Sequence, residues 1–224
     1  MTSTISHGFV RGSKLQIRRL INDDPQRIEE QLRKDIPGWG TAKFDWRSPL
    51  VSEQYSEYCD EEFLAVLGLQ DYSEALAGGF WPRRGPNWDA LARVALPHSA
   101  VLLIEAKSHR SEMASCYGGG RKSLKIIEAA FHKTQEWLQP HKHREWTSPF
   151  YQFANRLAHL YFLRKECGLE AWLAHVYFTG DPYYPTSREQ WDDWLREVRF
   201  ELGIGDGKIE GLVDVFLAVN AGGA

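Results

Sequence analysis

Three charged residues, Asp89, Glu105 and Lys107, have types and spacing suited to binding a metal ion and a phosphate group. Side chains alternate between the faces of a strand, so Glu105 and Lys107 would point the same way after the apolar residues 100–104. Charges in such a place are costly to bury unless they are paired or bound to a metal. Carboxylate oxygens are the ligands that Mg²⁺ prefers. The alternative is a surface ion pair between Glu105 and Lys107, which leaves Asp89 unexplained.

A β-hairpin is the element that must position these three residues. Residues 88–96 alternate as a strand does, Pro97-His98-Ser99 is a turn signal, and residues 100–107 form a second, apolar strand. In an antiparallel pair the start of the first strand lies beside the end of the second. The pattern therefore predicts that Asp89 lies next to Glu105.

A polar stripe on a later helix provides a second group of candidate residues. Within the predicted helix 149–167, one face carries Gln152, Asn155, Arg156 and His159, and it contains no Lys or Glu. Amide, guanidinium and imidazole groups are suited to hydrogen bonds with phosphates or bases, or to orienting metal ligands. The alternative is an ordinary hydrated helix face.

The order Asp89…Glu105-Ala106-Lys107 across a hairpin resembles the PD-(D/E)XK, or restriction-endonuclease-like, nuclease superfamily. The resemblance covers roughly residues 50–180, and the polar helix after the Glu-x-Lys strand is most similar to the RecB-like branch. One departure from the family pattern is that Trp88 precedes Asp89, whereas the nearest proline is Pro86.

The resemblance implies a role for each matching residue. Asp89, Glu105 and the main-chain carbonyl of Ala106 would bind Mg²⁺ or Mn²⁺, while Lys107 would orient the attacking water and Gln152 would line the site. A glutamate on the helix before the hairpin is also typical of the family. Glu62 is our candidate because it falls on the apolar face of a predicted helix over residues 50–67, and Glu57 is the reserve.

The predicted element order is α-α-β-β-α-α-β-α-β. We therefore expect an α/β fold with a restriction-endonuclease-like mixed central sheet flanked by helices, extra N-terminal helices and a helical insertion after the Glu-x-Lys strand. No domain boundary is visible, so residues 1–224 are predicted to form a single domain. The remaining predicted elements are helices 26–35, 122–138 and 187–202 and strands 171–178 and 212–219.

Composition restricts the class of protein. A net charge of −3 argues against a generally basic nucleic-acid-coating protein, although Arg83 and Arg84 form a local basic pair before Asp89. Three isolated cysteines and the lack of a long apolar stretch favour a cytoplasmic protein without a membrane segment. The aromatic content of 13% fits either a ring-rich core or rings that stack on bases.

The expected function is a metal-dependent nuclease that hydrolyses phosphodiester bonds, with DNA favoured over RNA. Arg83, Arg84, Asn155, Arg156 and His159 are the candidate nucleic-acid contacts. A homodimer or a targeting partner protein is left open. The alternative is a catalytically inactive nuclease-fold module that binds nucleic acid or a protein partner.

Overall fold

A five-stranded mixed sheet forms the centre of the computed structural model, which describes residues 11–96, 98–140 and 142–219. Its strands lie side by side in chain order: β1 (Lys43–Ser48), β2 (Ala90–Ala95), β3 (Ser99–Lys107), β4 (Ala171–Thr179) and β5 (Leu212–Ala218). The pairs β1–β2 and β2–β3 are antiparallel, whereas β3–β4 and β4–β5 are parallel. The predicted α/β class and mixed sheet are therefore confirmed.

Helices flank this sheet: α1 (Ser13–Asp23), α2 (Pro25–Asp35), α3 (Asp60–Val66), α4 (Ser73–Ala75), α5 (Arg121–Leu138), α6 (Tyr151–Tyr161) and α7 (Arg188–Leu202). Single helical turns lie at 51–53, 70–72 and 110–112, and wider turns follow α4 at 76–80 and α6 at 162–166. The predicted start of α7 is confirmed, because Ser187 and Gln190 form a reciprocal capping box.

The two faces of the sheet bury separate cores. Ala92, Leu102 and Ile104 pack with Ile17 of α1 and Leu32 of α2. The opposite face of the hairpin, with Leu91 and Leu103, belongs to a cluster that includes Phe131, Leu157 and Trp191 of α5, α6 and α7. Because side chains alternate along β3, Glu105 and Lys107 follow Leu103 onto this second face. The candidate residues are thus held between the sheet and α6.

The predicted hairpin is confirmed, with Ala90 paired to Ile104 and Ala95 paired to Ser99. Pro97, in its predicted turn, lies outside the described residues. The helices predicted at 26–35, 122–138 and 187–202 and the strands at 171–178 and 212–219 are observed within one or two residues of their expected bounds. The helix predicted over 149–167 is observed as α6 and the turn that follows it.

The helix predicted over residues 50–67 is wrong. Gln54 and Tyr55 have left-handed backbone conformations, with φ of 55° and 59°, and the helix begins only at Asp60. The intervening segment is extended, and the carbonyl of Tyr58 accepts a hydrogen bond from the amide of Trp88 at 3.1 Å. Pairing with the chain before β2 therefore replaces the helical hydrogen bonds that the apolar pattern favours.

Three elements, α1, β1 and the short α4, are not among those predicted. α1 is amphipathic and buries Ile17, Leu20 and Ile21, which have helical spacing. β1 is an edge strand whose side chains are mostly exposed or half-buried, so its apolar alternation is weak. No helix in the described ranges combines the length and apolar character that a membrane span requires.

Candidate functional site

Hairpin geometry brings Asp89 to Glu105. The amide of Asp89 donates to the carbonyl of Ile104 at 3.2 Å, one step beyond the last ladder pair. The Asp89 carboxylate then accepts the amide of Ala106 through Oδ2 at 2.7 Å. Its side chain thereby satisfies a backbone donor of β3 just past the end of β2. The hydrogen bond to β3 thus fixes the position of Asp89. The pairing of β2 with β3 therefore determines where the Asp89 carboxylate lies relative to that of Glu105.

Two cationic side chains bind Glu105, each through a different carboxylate oxygen. Lys107 Nζ lies 2.6 Å from Oε1, as the same-face placement predicts. Arg156 Nε donates to Oε2 at 2.6 Å from α6. The Glu105 and Arg156 side chains are each only 6% exposed, so this ion pair is buried and hydrogen-bonded on both partners.

The start of α6 is anchored so that Gln152 meets Lys107. Gln152 Oε1 accepts from Lys107 Nζ at 3.2 Å. The amide of Gln152 donates to Ser115 Oγ at 2.8 Å, and the amide of Tyr151 donates to the Ser115 carbonyl at 3.1 Å. Ser115 therefore fixes the first turn of the helix, and with it the amide group that orients Lys107.

Arg156 also connects the site to the chain before β2. Its Nη2 donates to the Asn87 carbonyl at 2.9 Å and its Nη1 to Asn155 Oδ1 at 2.8 Å. The guanidinium lies 4.9 Å from the centre of the Trp88 ring. All three contacts use the planar fork that distinguishes arginine from lysine.

The two carboxyl groups have opposite ionisation tendencies. Burial and the charge of Glu105 raise the pKa of Asp89 to about 7, outweighing Lys107, the Ala106 amide and Arg156. Burial opposes ionisation of Glu105 as well, but Arg156 and Lys107 lower the pKa of that group to about 2. Near neutral pH Glu105 is therefore charged, whereas burial and the charge of Glu105 disfavour the ionised form of Asp89. A pair of carboxyl groups separated in this way is typical of acid–base and metal sites.

An open cavity of about 620 Å³ gives these groups access to a ligand. Of the predicted site residues, it is lined by Asp89, Glu105, Ala106, Lys107, Gln152, Asn155, Arg156 and Arg84. The Arg84 loop is held by Asp60, whose carboxylate accepts the amides of Arg84 and Gly85 at 2.9 and 2.7 Å. The Arg84 loop, the β2–β3 hairpin and α6 thus bring eight of the predicted site residues to one cavity.

Glu62, Arg83 and His159 are not among the residues that line this cavity. The predicted helix over residues 50–67 would point Glu62 toward the core. The observed helix α3 begins only at Asp60, and Glu62 is exposed on it. Glu57, the reserve, does line the cavity and forms an ion pair with Lys14 at 2.7 Å. Arg83 is exposed beside Arg84 but outside the cavity.

His159, predicted to contact nucleic acid, is buried in the core instead of facing a groove, so its ring is not exposed to such a ligand in this structure. Its ring is 1% exposed and packs against Trp81, Trp88 and Phe63. Nδ1 lies 2.8 Å from the Asn155 carbonyl and donates to it in the neutral tautomer. Burial lowers the pKa of His159 to about 3, so the ring is neutral at physiological pH. The polar stripe of α6 is therefore neither a hydrated face nor wholly a ligand-binding one.

A buried polar row across the sheet was not predicted. Glu105 on β3 is paired in register with His175 on β4, which is paired with Asp214 on β5. His175 is 2% exposed, its Nδ1 lies 3.6 Å from Asp214 Oδ1, and neither ring nitrogen has a hydrogen-bond partner among the described residues. Asp214 also contacts Arg199 of α7 at 3.3 Å. The sequence signal that could have predicted this row is the presence of His175 and Asp214 among the apolar residues of β4 and β5.

The donor set fits a hard divalent cation. Mg²⁺ in proteins is commonly bound by one or two carboxylates and keeps several waters, and Asp89, Glu105 and the Ala106 carbonyl line one open cavity. The described residues contain no cluster of three or more His, Cys, Asp or Glu side chains placed to hold a metal. An ion here would therefore depend on water or a ligand for its remaining positions.

Comparison with known proteins finds no matching family model, no matching curated protein and no matching solved structure.

Proposed function

We propose that this chain is a metal-dependent phosphodiesterase that acts on nucleic acid, with a restriction-endonuclease-like core of the PD-(D/E)XK type. One observation carries the proposal: the hairpin places Asp89 beside Glu105, with Lys107 on the same face and all three lining one open cavity. The mixed sheet, in which this hairpin joins a parallel strand, supports the fold assignment.

Asp89, Glu105 and the Ala106 carbonyl would hold Mg²⁺ or Mn²⁺. Each carboxylate oxygen can accept more than one hydrogen bond or ligand, so the contacts of Glu105 with Lys107 and Arg156 leave capacity for a cation. When bound, such an ion polarises a phosphoryl oxygen and lowers the pKa of a water molecule.

The protein residues supply charge and orientation. Lys107 would place its ammonium group against the negative charge that grows on the phosphate in the transition state, where a fixed cation is most effective. Gln152 holds Lys107 toward the cavity, and Arg156 keeps Glu105 ionised and fixed in place. The pKa of Asp89 is raised to about 7 without a cation, so a bound divalent ion would favour the ionised form that acts as a ligand.

Arg84 is exposed and lines the cavity, so it is the residue best suited to contact the phosphate backbone, whereas Asn155 and Arg156 are buried and hydrogen-bonded to each other. DNA is the preferred substrate in this proposal and RNA the second choice. A further copy of the chain or a targeting partner would provide specificity beyond the cavity.

The test is cleavage of labelled single- and double-stranded DNA and RNA in Mg²⁺, Mn²⁺ or EDTA. Lys107→Ala and Asp89→Asn should each lower the rate about 100-fold or more. Asp89→Asn is a suitable variant because its side-chain carbonyl can still accept the Ala106 amide. Lys133→Ala, which alters an exposed lysine on α5, is the matched control and should leave the rate unchanged.

Metal-dependent cleavage that is lost in both variants and kept in Lys133→Ala would support the proposal. Cleavage that survives both variants would place the activity elsewhere. A wild-type protein that binds nucleic acid but cuts none of the substrates would favour the inactive binding module.

A further inference from the structure

A second groove of about 620 Å³ adjoins the candidate site. We call it the aromatic groove and define it by His109, Arg110, Tyr183, Tyr184 and Trp194. Tyr183 is 50% exposed and Tyr184 is 61% exposed, which is unusual for large rings. Exposed apolar surface of this kind often marks a binding site.

The loop that carries the two tyrosines is fixed at both ends. Asp181, fully buried, accepts the Tyr183 amide at 2.9 Å and the Gln16 side chain at 3.2 Å. Thr186 donates from its hydroxyl to the Ser108 carbonyl at 3.2 Å, directly after β3. The fold therefore holds the rings at the surface by buried hydrogen bonds.

Planar groups surround the groove. The His109 and Tyr184 ring centres are 4.7 Å apart, and the Arg110 guanidinium lies 4.4 Å from the Trp194 ring centre. Two of the charges nearby are paired, Arg110 with Glu197 and Asp193 with Arg196, and the Arg11 guanidinium lies 4.7 Å from the centre of the Tyr183 ring. The planar side chains make stacking the main attraction that the groove can offer, with a smaller contribution from the charge of Arg11.

The aromatic groove and the candidate site share a wall. Ser111 lines both cavities, and its hydroxyl lies 2.8 Å from His109 Nδ1. A chain molecule with a charged group in the first cavity can therefore extend an apolar, planar group into the second. A nucleotide strand has this chemistry, with a phosphate and a base in each unit.

We propose that the aromatic groove stacks an unpaired base of the strand whose phosphate lies against Asp89, Glu105 and Lys107. The inference rests on the proposed function and narrows its substrate class to single-stranded nucleic acid or a strand with an unpaired end. A base inside a duplex is stacked on its neighbours, so its faces are not free to meet Tyr184. Aromatic stacking of this kind accepts any base.

The test is fluorescence anisotropy of a labelled single strand of about 12 nucleotides and of the matching duplex, in EDTA and in Ca²⁺. Tyr184→Ala should bind the single strand roughly five- to 150-fold more weakly, since this range corresponds to the free energy of stacking one base on one aromatic ring. Tyr184→Phe keeps the ring and should bind as wild type does. Phe200→Ala removes a ring of similar exposure, 68% against 61% for Tyr184, outside the groove and is the matched control.

Duplex binding should be unaffected by Tyr184→Ala, and so should the salt dependence of single-strand binding, since no charge is removed. Equal binding by Tyr184→Ala and Phe200→Ala would overturn the inference, as would a wild-type protein that does not bind the single strand. Cleavage with unchanged binding in Tyr184→Ala would leave the proposed function standing without this groove. If the wild type binds the single strand without cleaving it and Tyr184→Ala loses that binding, the result would support base stacking in the aromatic groove and contradict the proposed nuclease activity.

Discussion

At the scale of single residues, Glu105 depends on its two cations. It lies at the end of a strand whose preceding residues are apolar and buried, and Arg156 is the more deeply buried of its partners. A buried carboxylate that loses a partner retains the cost of desolvation without the compensating attraction. Arg156 therefore matters for stability as well as for the candidate chemistry.

Arg156→Ala should lower the free energy of unfolding by about 3 kcal/mol in urea titrations. Arg196→Ala breaks an exposed ion pair on α7 and should cost no more than about 0.5 kcal/mol. Similar losses in the two variants would show that the buried pair is not a major source of stability.

His159 should make stability fall in mild acid. Its pKa is about 3 in the folded protein, against an ordinary value of 6.5, so between these values the unfolded chain binds a proton that the folded protein does not. The contribution is complete above pH 6.5 and is lost as the pH falls toward 3.

His159→Gln removes this titration while keeping a donor for the Asn155 carbonyl. Between pH 7 and pH 5 the wild type should lose about 2 kcal/mol more unfolding free energy than the variant does. Urea titrations at the two pH values measure the difference. Parallel losses in both proteins would mean that His159 is not neutral in the fold.

At the scale of elements, the sequence predicted those features that depend on residues close together in the chain. The β2–β3 hairpin follows from alternation and a turn signal, and with it the meeting of Asp89 and Glu105. The start of α7 follows from Ser187 and Gln190. These features need only residues close in sequence.

The rest depends on partners far along the chain. Residues 50–67 have a helical pattern, but Tyr58 pairs with Trp88, so only the second part forms a helix, α3, and it carries Glu62 on its exposed side. The row from Glu105 through His175 to Asp214 exists because β3, β4 and β5 align in one register, which no local pattern fixes. The Arg156–Glu105 pair likewise requires α6 to pack on β3.

At the scale of the whole molecule, neither the net charge nor the number of charges in the cavity favours an anion. The chain carries −3 overall, and the cavity lining sets Arg84, Lys107 and Arg156 against Glu57, Asp89, Glu105 and Glu112. Under the proposed function, attraction to phosphate must come from a bound metal ion and from exposed cations such as Arg84.

Arg84→Ala should reduce the slope of log affinity against log salt for a single strand by about 0.7, which corresponds to one lost phosphate contact. Arg83→Ala removes an equal charge from the neighbouring residue, which does not line the cavity, and should leave the slope nearly unchanged. Binding titrations over a range of salt concentrations measure both. Equal slope changes would indicate attraction to the surface charge in general.

The connection between β3 and β4 has a consequence for the order of folding. Asp89 and Glu105 come together by closing a local hairpin, an event of microseconds, whereas Arg156 arrives only when the long segment carrying α5 and α6 has packed on the sheet. Until then the charged end of β3 stays hydrated, because burying Glu105 beside Asp89 without the guanidinium is unfavourable. We therefore expect the core around Glu105 to close only after the helix bearing Gln152 and Arg156 has packed on the sheet.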